Sequence, residues 1–169
     1  MNSIDGNIRL AHVHDLESIV SIYNYAVASG FETADLQPWA VSEKISWLEE
    51  HNAAEYPIFV FETTSRQVVG WISLSPYRKG RLALRHTAEV SYYIHPDYKR
   101  MGIGTRLMQH TLTQAIALDF QTLFAIVIDQ NRKSIAFLER LGFSRWGHLP
   151  LVVDYYGIRC GHYYYGLHL

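Results

Sequence analysis

The chain has 169 residues, 49% hydrophobic and 18% charged, with a formal net charge of −1 at neutral pH. That length buries one domain's core without disulfide or metal staples, and the balanced charge argues against a nucleic-acid binder, which needs a basic excess on some face. A single cysteine, Cys160, excludes an internal disulfide framework and fits a reducing cytoplasm. No apolar run reaches membrane-span length, and Met1–Asp5 lacks the basic and apolar regions of a secretory signal.

Ile8–Ala11 reads as a first short strand. Asp15 offers an N-cap oxygen to a helix whose Leu16, Ile19, Val20, Tyr23 and Val27 share one face until Gly30 stops it. Residues 31–41, with Pro38, carry turn chemistry, and Ser42 opens a second helix with Ile45 and Leu48 inward. Ile58–Phe61 and Val68–Leu74 form a strand pair joined through Thr63–Gln67, where Gly70 predicts a bulge or a close backbone approach. A basic loop over 75–86, with Arg78, Lys79, Arg81 and Arg85, precedes a strand over Thr87–Ile94. A third helix over 103–118 has Leu107, Met108, Leu112, Ala115 and Ile116 as its apolar stripe. Leu123–Ile128 is a continuous apolar run, the pattern of a strand covered on both faces. Asn131 caps a fourth helix that turns Ile135, Leu138 and Leu141 inward and stops at Gly142. Strands near 143–148 and 160–168 close a single α/β domain over 1–169, a mixed sheet with helices on both faces.

The most specific stretch joins the 87–94 strand to the third helix: Tyr92-Tyr93-Ile94-His95-Pro96-Asp97-Tyr98-Lys99-Arg100-Met101-Gly102-Ile103-Gly104-Thr105. A strand, a glycine turn and a helix N-terminus present unpartnered N–H groups that suit a pyrophosphate. A Walker A loop needs Gly-Lys-Ser/Thr, but Gly104 is followed by Thr105 and Arg106. The dinucleotide fingerprint needs a third glycine where this chain has Leu107. What remains is a basic residue followed by x-x-Gly-x-Gly, for which an ordinary tight turn is the alternative.

Together with the element order, this motif and Asn131-Arg132-Lys133-Ser134-Ile135-Ala136-Phe137-Leu138-Glu139-Arg140-Leu141-Gly142-Phe143 resemble the GNAT superfamily of N-acetyltransferases. Ile22-Tyr23-Asn24, Tyr56-Pro57, Pro76-Tyr77-Arg78, His86–Ile94 and His95-Pro96-Asp97-Tyr98 resemble its phosphinothricin and methionine-sulfoximine acetyltransferase branch. The resemblance implies a mostly antiparallel sheet, acetyl-CoA as co-substrate and a small amino-acid-like amine as acceptor. Tyr92, Tyr93, Ile94, the run Lys99–Thr105 (Lys99, Arg100, Met101, Gly102, Ile103, Gly104, Thr105), Asn131 and Ser134 would hold the cofactor. The branch also implies a homodimer.

The implied reaction joins acetyl to a primary amine, which is nucleophilic only when neutral, so a general base is useful. Glu89 matches the glutamate of the branch's Thr-x-Glu-x-Ser-x-Tyr pattern; its plainer role is an ion pair with Arg85 or Arg78. A backbone N–H at Tyr93 or Ile94 would steady the oxyanion, provided the strand splays there. Arg78 suits a substrate carboxylate, with Tyr77, Thr87, Tyr155 and Trp39 as pocket walls; core packing or a solvated loop charge are the competing roles. Two departures stand out. Many family members carry a tyrosine, able to protonate the thiolate, where this chain has Leu138. The herbicide-inactivating members have a Lys-Phe-Gly-x-Trp-x-Asp-like segment where this chain has Tyr155–Gly161, without the lysine and aspartate. The nine histidines form no metal-ligand spacing, so no metal is expected, and His86 alone falls near the proposed centre. Two other activities compete with a small-molecule acceptor: acetylation of a protein N-terminus or lysine, and a non-catalytic acetyl-CoA-binding module.

Overall fold

A computed structural model describes residues 4–169. Among them, β1 (Gly6–Leu10), α1 (Leu16–Ser29), α2 (Ile45–Glu49), β2 (Ile58–Thr63), β3 (Val68–Pro76), β4 (Thr87–Ile94), α3 (Ile103–Ala117), β5 (Thr122–Ile128), α4 (Arg132–Arg140), β6 (Ser144–Tyr155) and β7 (Ile158–His168) follow the expected order. The strands form one sheet in the order β1-β2-β3-β4-β5-β7-β6. Neighbours run antiparallel except β4 and β5, which are parallel and pair only over Thr87–Glu89 with Thr122–Phe124.

Alternation of side chains sorts the core onto two faces. Phe59, Phe61, Ile72, Leu74, Val90 and Leu123 pack under Ile103, Leu107 and Met108 of α3 and Leu138 of α4. On the opposite face Ile58, Val60 and Trp71 meet Ile19, Ile22 and Tyr23 of α1, with Trp47 and Leu48 of α2 alongside. Ile128, Val153, Tyr155 and Cys160 form a third cluster, against which Phe31 and Leu36 pack.

Both expectations at Gly70 are met. The ladder shifts register between Phe61 and Glu62, leaving Val69 as the extra residue. A Cβ on Gly70 would lie 2.7 Å from Ile94 Cδ1 and 3.2 Å from Ile103 Cγ2, so the missing side chain lets α3 and β4 close in.

Several local readings are corrected. Asp15 does not cap α1 with its side chain; its buried carboxylate takes two bonds from Arg9 (2.7 and 2.9 Å) and one from the His12 amide. Ile45 is exposed, because a 3-10 turn at Val41–Lys44 leads into α2 and the wide Trp47 turns inward. Ile116 is also exposed; Thr111 takes the inward position on α3, its hydroxyl donating to the Leu107 carbonyl. In β5 only Leu123, Ala125, Val127 and Ile128 are buried, while Phe124 and Ile126 stay half-open on the α1 face. The sixth strand runs on to Tyr155, with a bulge at Trp146 whose indole lies over Gly166, where a side chain would collide with it.

Candidate active site

The site begins where β4 parts from β5. The His95 amide donates to the Val69 carbonyl (2.9 Å) and the Tyr77 amide to the Thr87 carbonyl (3.5 Å). Those bonds set the antiparallel alternation, so odd-numbered residues of β4 direct their backbone groups at β3. The amides of Tyr92 and Ile94 therefore face β5, which has already diverged beyond Glu89. This corrects the reading of Tyr93. Its N–H faces Trp71, and its ring packs 4.8 Å from the centroids of both Tyr23 and Trp71. Burial, foremost, holds its phenol far above the ordinary range, so it stays protonated.

The opening between the strands continues into a cleft of about 1020 Å³. Its floor comes from Tyr92, Tyr93 and Ile94, its far wall from Asn131, Ser134 and Phe137, and its mouth from Lys99, Arg100 and Gly102–Thr105. Met101 is the one residue of that loop that does not line it. Arg100 (φ 66°) and Gly102 (φ 81°) are both left-handed, the alternation that curls successive amides into an anion nest. The first intrahelical bond of α3 is donated by Arg106 to Gly102, so the amides of Ile103, Gly104 and Thr105 are left to point at the cleft. Asn131 caps α4, its Oδ1 accepting from the Ser134 amide (3.1 Å). Amide nest, helix dipole, a strand edge with free amides and a long half-apolar trough together fit acetyl-CoA: anionic at one end, amide-bearing along its arm.

Glu89 lies at the inner end of this opening, on the face toward α1. Its cross-strand neighbours are Ser75 on β3 and Phe124 on β5. No ion pair to Arg78 or Arg85 forms among the described residues, and burial alone raises its carboxyl above the usual range. Beside it Tyr77 stacks on Phe124 (centroids 4.7 Å apart) and Trp146 meets Phe124 edge-on (5.3 Å). Arg78 is exposed over the Tyr77 ring, and Thr87 faces the same side. Tyr155 is corrected: it is buried in the third cluster against Phe31, and its hydroxyl donates to the Val27 carbonyl. His86 is bound to the Asp119 carbonyl (2.8 Å) rather than aimed at Glu89.

Sequence reasoning missed five residues here. Glu32, from the loop after α1, lines the cleft mouth and holds Lys99 through both oxygens at 3.0 Å. Lys133 and Arg140 join Lys99 and Arg100 at the cleft; their spacing with Phe137 along one helical stripe was the available signal. His51 approaches Ser75 (3.2 Å) while its Nδ1 bonds the Trp47 carbonyl (2.6 Å). A carbonyl only accepts, so Nδ1 carries the proton and Ser75 donates to Nε2. Asp35 ties down residues 31–40, accepting from the Tyr23 hydroxyl and the Trp39 indole, each at 2.7 Å. Asp35→Ala leaves the Trp39 indole N–H without its acceptor and the Tyr23 hydroxyl with Thr33 alone (2.6 Å); it is expected to cost about 1–3 kcal/mol in denaturant unfolding and to open 31–40 to limited proteolysis.

At the position matching the aspartate of the herbicide-inactivating members, Gly161 leaves no room for a side chain: a Cβ would lie 2.6 Å from the Leu149 carbonyl and 2.8 Å from Asp129 Oδ2. Asp129 reaches in from the end of β5 instead, accepting from the Gly161 amide (2.8 Å) near His148 (3.5 Å).

The sequence profile of the acetyltransferase (GNAT) family matches residues 19–143. The chain is 36% identical over 152 residues to YwnH of Bacillus subtilis, which carries a provisional phosphinothricin acetyltransferase name, covering 90% of this chain and 92% of that one. It is 30% identical over 154 residues to the L-methionine sulfoximine/L-methionine sulfone acetyltransferase of Pseudomonas aeruginosa, covering 91% and 89%. The crystal structure of a phosphinothricin acetyltransferase from Sinorhizobium meliloti in complex with acetyl-CoA superposes with a TM-score of 0.91 at 26% identity, over 98% of this chain and 89% of that one.

Proposed function

Since the chain belongs to the GNAT acetyltransferase family, we propose that it moves acetyl from acetyl-CoA to the primary amine of a small amino-acid-like acceptor, by direct attack in a ternary complex. The observation that carries this reading is Glu89: a half-buried carboxylate without a cation partner among the described residues, on the strand whose Tyr92–Ile94 end lines the cleft.

Bound acetyl-CoA supplies a thioester carbonyl as electrophile and a thiolate as leaving group. The nest at Arg100–Gly102 and the amides of Ile103–Thr105 would hold its diphosphate, with Lys99, Arg100, Lys133 and Arg140 adding charge. The amides of Tyr92 and Ile94 would bond its arm along the free edge of β4, where the innermost donor also steadies developing negative charge. Glu89 takes the proton of the incoming amine, directly or through one water. Arg78 would pair with an acceptor carboxylate, while Tyr77, Phe124 and Trp146 form an aromatic wall sized for one side chain. That wall favours a small acceptor over a protein N-terminus. The lysine and aspartate of the herbicide-inactivating members are both absent from Tyr155–Gly161, which weighs against phosphinothricin itself as the acceptor.

Thiol release from acetyl-CoA against a panel of amino-acid amines tests the proposal. Saturable turnover on one class supports it. Tight acetyl-CoA binding without turnover on any amine would instead favour a sensing module.

Self-association is part of the same reading. Leu149, Leu151, Val152, Tyr156 and Ile158 are exposed together around the β6–β7 hairpin, an apolar tip suited to a second copy. Leu151→Asp with Val152→Asp is expected to halve the mass seen in sedimentation; an unchanged mass would remove this hairpin from the contact. The single buried cysteine supports a reducing, cytoplasmic setting, and no helix among the described residues is long and apolar enough to cross a membrane.

A further inference from the structure

One buried polar atom beside the cleft has no partner among the described residues. The Tyr92 hydroxyl is buried and makes no hydrogen bond to any described residue, although its residue lines the cleft. Its ring leans on Phe137 of α4 (centroids 5.0 Å apart), on the face opposite Glu89. A buried hydroxyl without a partner costs free energy, and such groups are rare enough that each calls for an acceptor. We propose that the Tyr92 hydroxyl donates a hydrogen bond to an oxygen of the pantetheine arm of coenzyme A, a side-chain contact additional to the free amides of β4.

The assignment rests on the reading of this cleft as an acetyl-CoA site, and depth selects the arm. The diphosphate donors lie at Arg100–Thr105, beyond the end of β4. Tyr92 stands two residues inside Ile94, roughly 7 Å further along the strand. At that depth the amides of Tyr92 and Ile94 would bond the amide- and hydroxyl-bearing arm. Tyr92 approaches from the side of α4, where Ser134 and Asn131 are the neighbouring polar groups. Burial pushes its phenol up to about 12, a rise that the nearby Ser134 hydroxyl only partly offsets. Thiols titrate near 8.5 (roughly the cysteine value), so proton transfer from Tyr92 to a departing thiolate runs uphill. Tyr92 therefore positions the arm by donating a hydrogen bond and does not replace the acid missing at Leu138.

Calorimetric titration of wild-type protein and Tyr92→Phe with coenzyme A and with 3′-phospho-ADP separates the possibilities. The variant is expected to bind coenzyme A roughly 5- to 20-fold more weakly and the nucleotide fragment equally well. The loss should appear in KM for acetyl-CoA, and the melting temperature of the ligand-free protein should not fall, since the lost hydroxyl had no partner. Equal coenzyme A affinity in both proteins would overturn the assignment. So would a lower melting temperature with unchanged affinity, which would make the hydroxyl a structural partner of Ser134. A loss confined to kcat would place it at the sulfur and overturn it as well. Failure of the wild-type protein to bind coenzyme A would overturn the reading of the cleft itself.

Discussion

Glu89→Gln is expected to lower kcat/KM for amine acetylation by a factor on the order of 10² to 10⁴ near neutral pH. Glutamine keeps the shape of the side chain but cannot take the proton that an amine loses as it attacks. In the wild-type protein burial raises the Glu89 carboxyl, so the acid limb of the rate profile should lie above the ordinary carboxylate range. In the variant that limb disappears, leaving only the deprotonation of the acceptor itself. The same burial predicts a stability change of opposite sign. A carboxyl whose folded pKa exceeds its unfolded value binds more protons in the folded state, so stability falls as pH rises through that window. Glu89→Gln should therefore melt at a higher temperature than wild type at pH 7.5 and lose that advantage below the window, near pH 4. Unchanged turnover and an unchanged rate profile would remove Glu89 from the chemistry.

Trp71→Ala is expected to cost about 3–5 kcal/mol of stability, the largest structural loss from one side chain on the acceptor face. Trp71 is 1% exposed, and its indole N–H donates to the Ile19 carbonyl (3.1 Å). Its ring meets Tyr93 (4.8 Å), Trp47 (5.7 Å) and Tyr23 (6.4 Å), joining α1 and α2 to the strand that carries Glu89. For a domain of this length the melting temperature should fall on the order of 10 °C. Trp71→Phe keeps an aromatic ring and should recover part of that loss, though not the bond to Ile19. A fall of less than about 3 °C in Trp71→Ala would show that α1 is held by other contacts.

The local parts of this molecule were legible because their signals are local. Thr87–Ile94 reads as a strand to the residue, since β-branched and aromatic residues are bounded by a loop and a proline. Gly30 and Gly142 stop their helices at positive φ, and Asn131 caps α4, all from signals within one turn. Asp15 shows where this reasoning fails. It stands where an N-cap belongs, but Arg9 competes for its carboxylate with two charge-assisted bonds. Ile45 and Ile116 fail similarly, because a helical stripe says which residues share a face but not how wide the buried face is.

Sequence by itself determined the glycine turn that opens α3, the Asn131 cap of α4, the strand that ends at Ile94 and the place of Glu89 upon that strand. Each depends on backbone conformation and spacing over a few residues. Tertiary structure alone decided which amides of β4 stay free, because that depends on the register with β3 and the point where β5 departs. It also decided that Lys99 meets Glu32, 67 residues away in the chain, that Ser75 meets His51, and that Trp146 lies beside Phe124. Such contacts follow from the packing of distant segments onto one sheet, and a periodicity read along the chain carries no record of them.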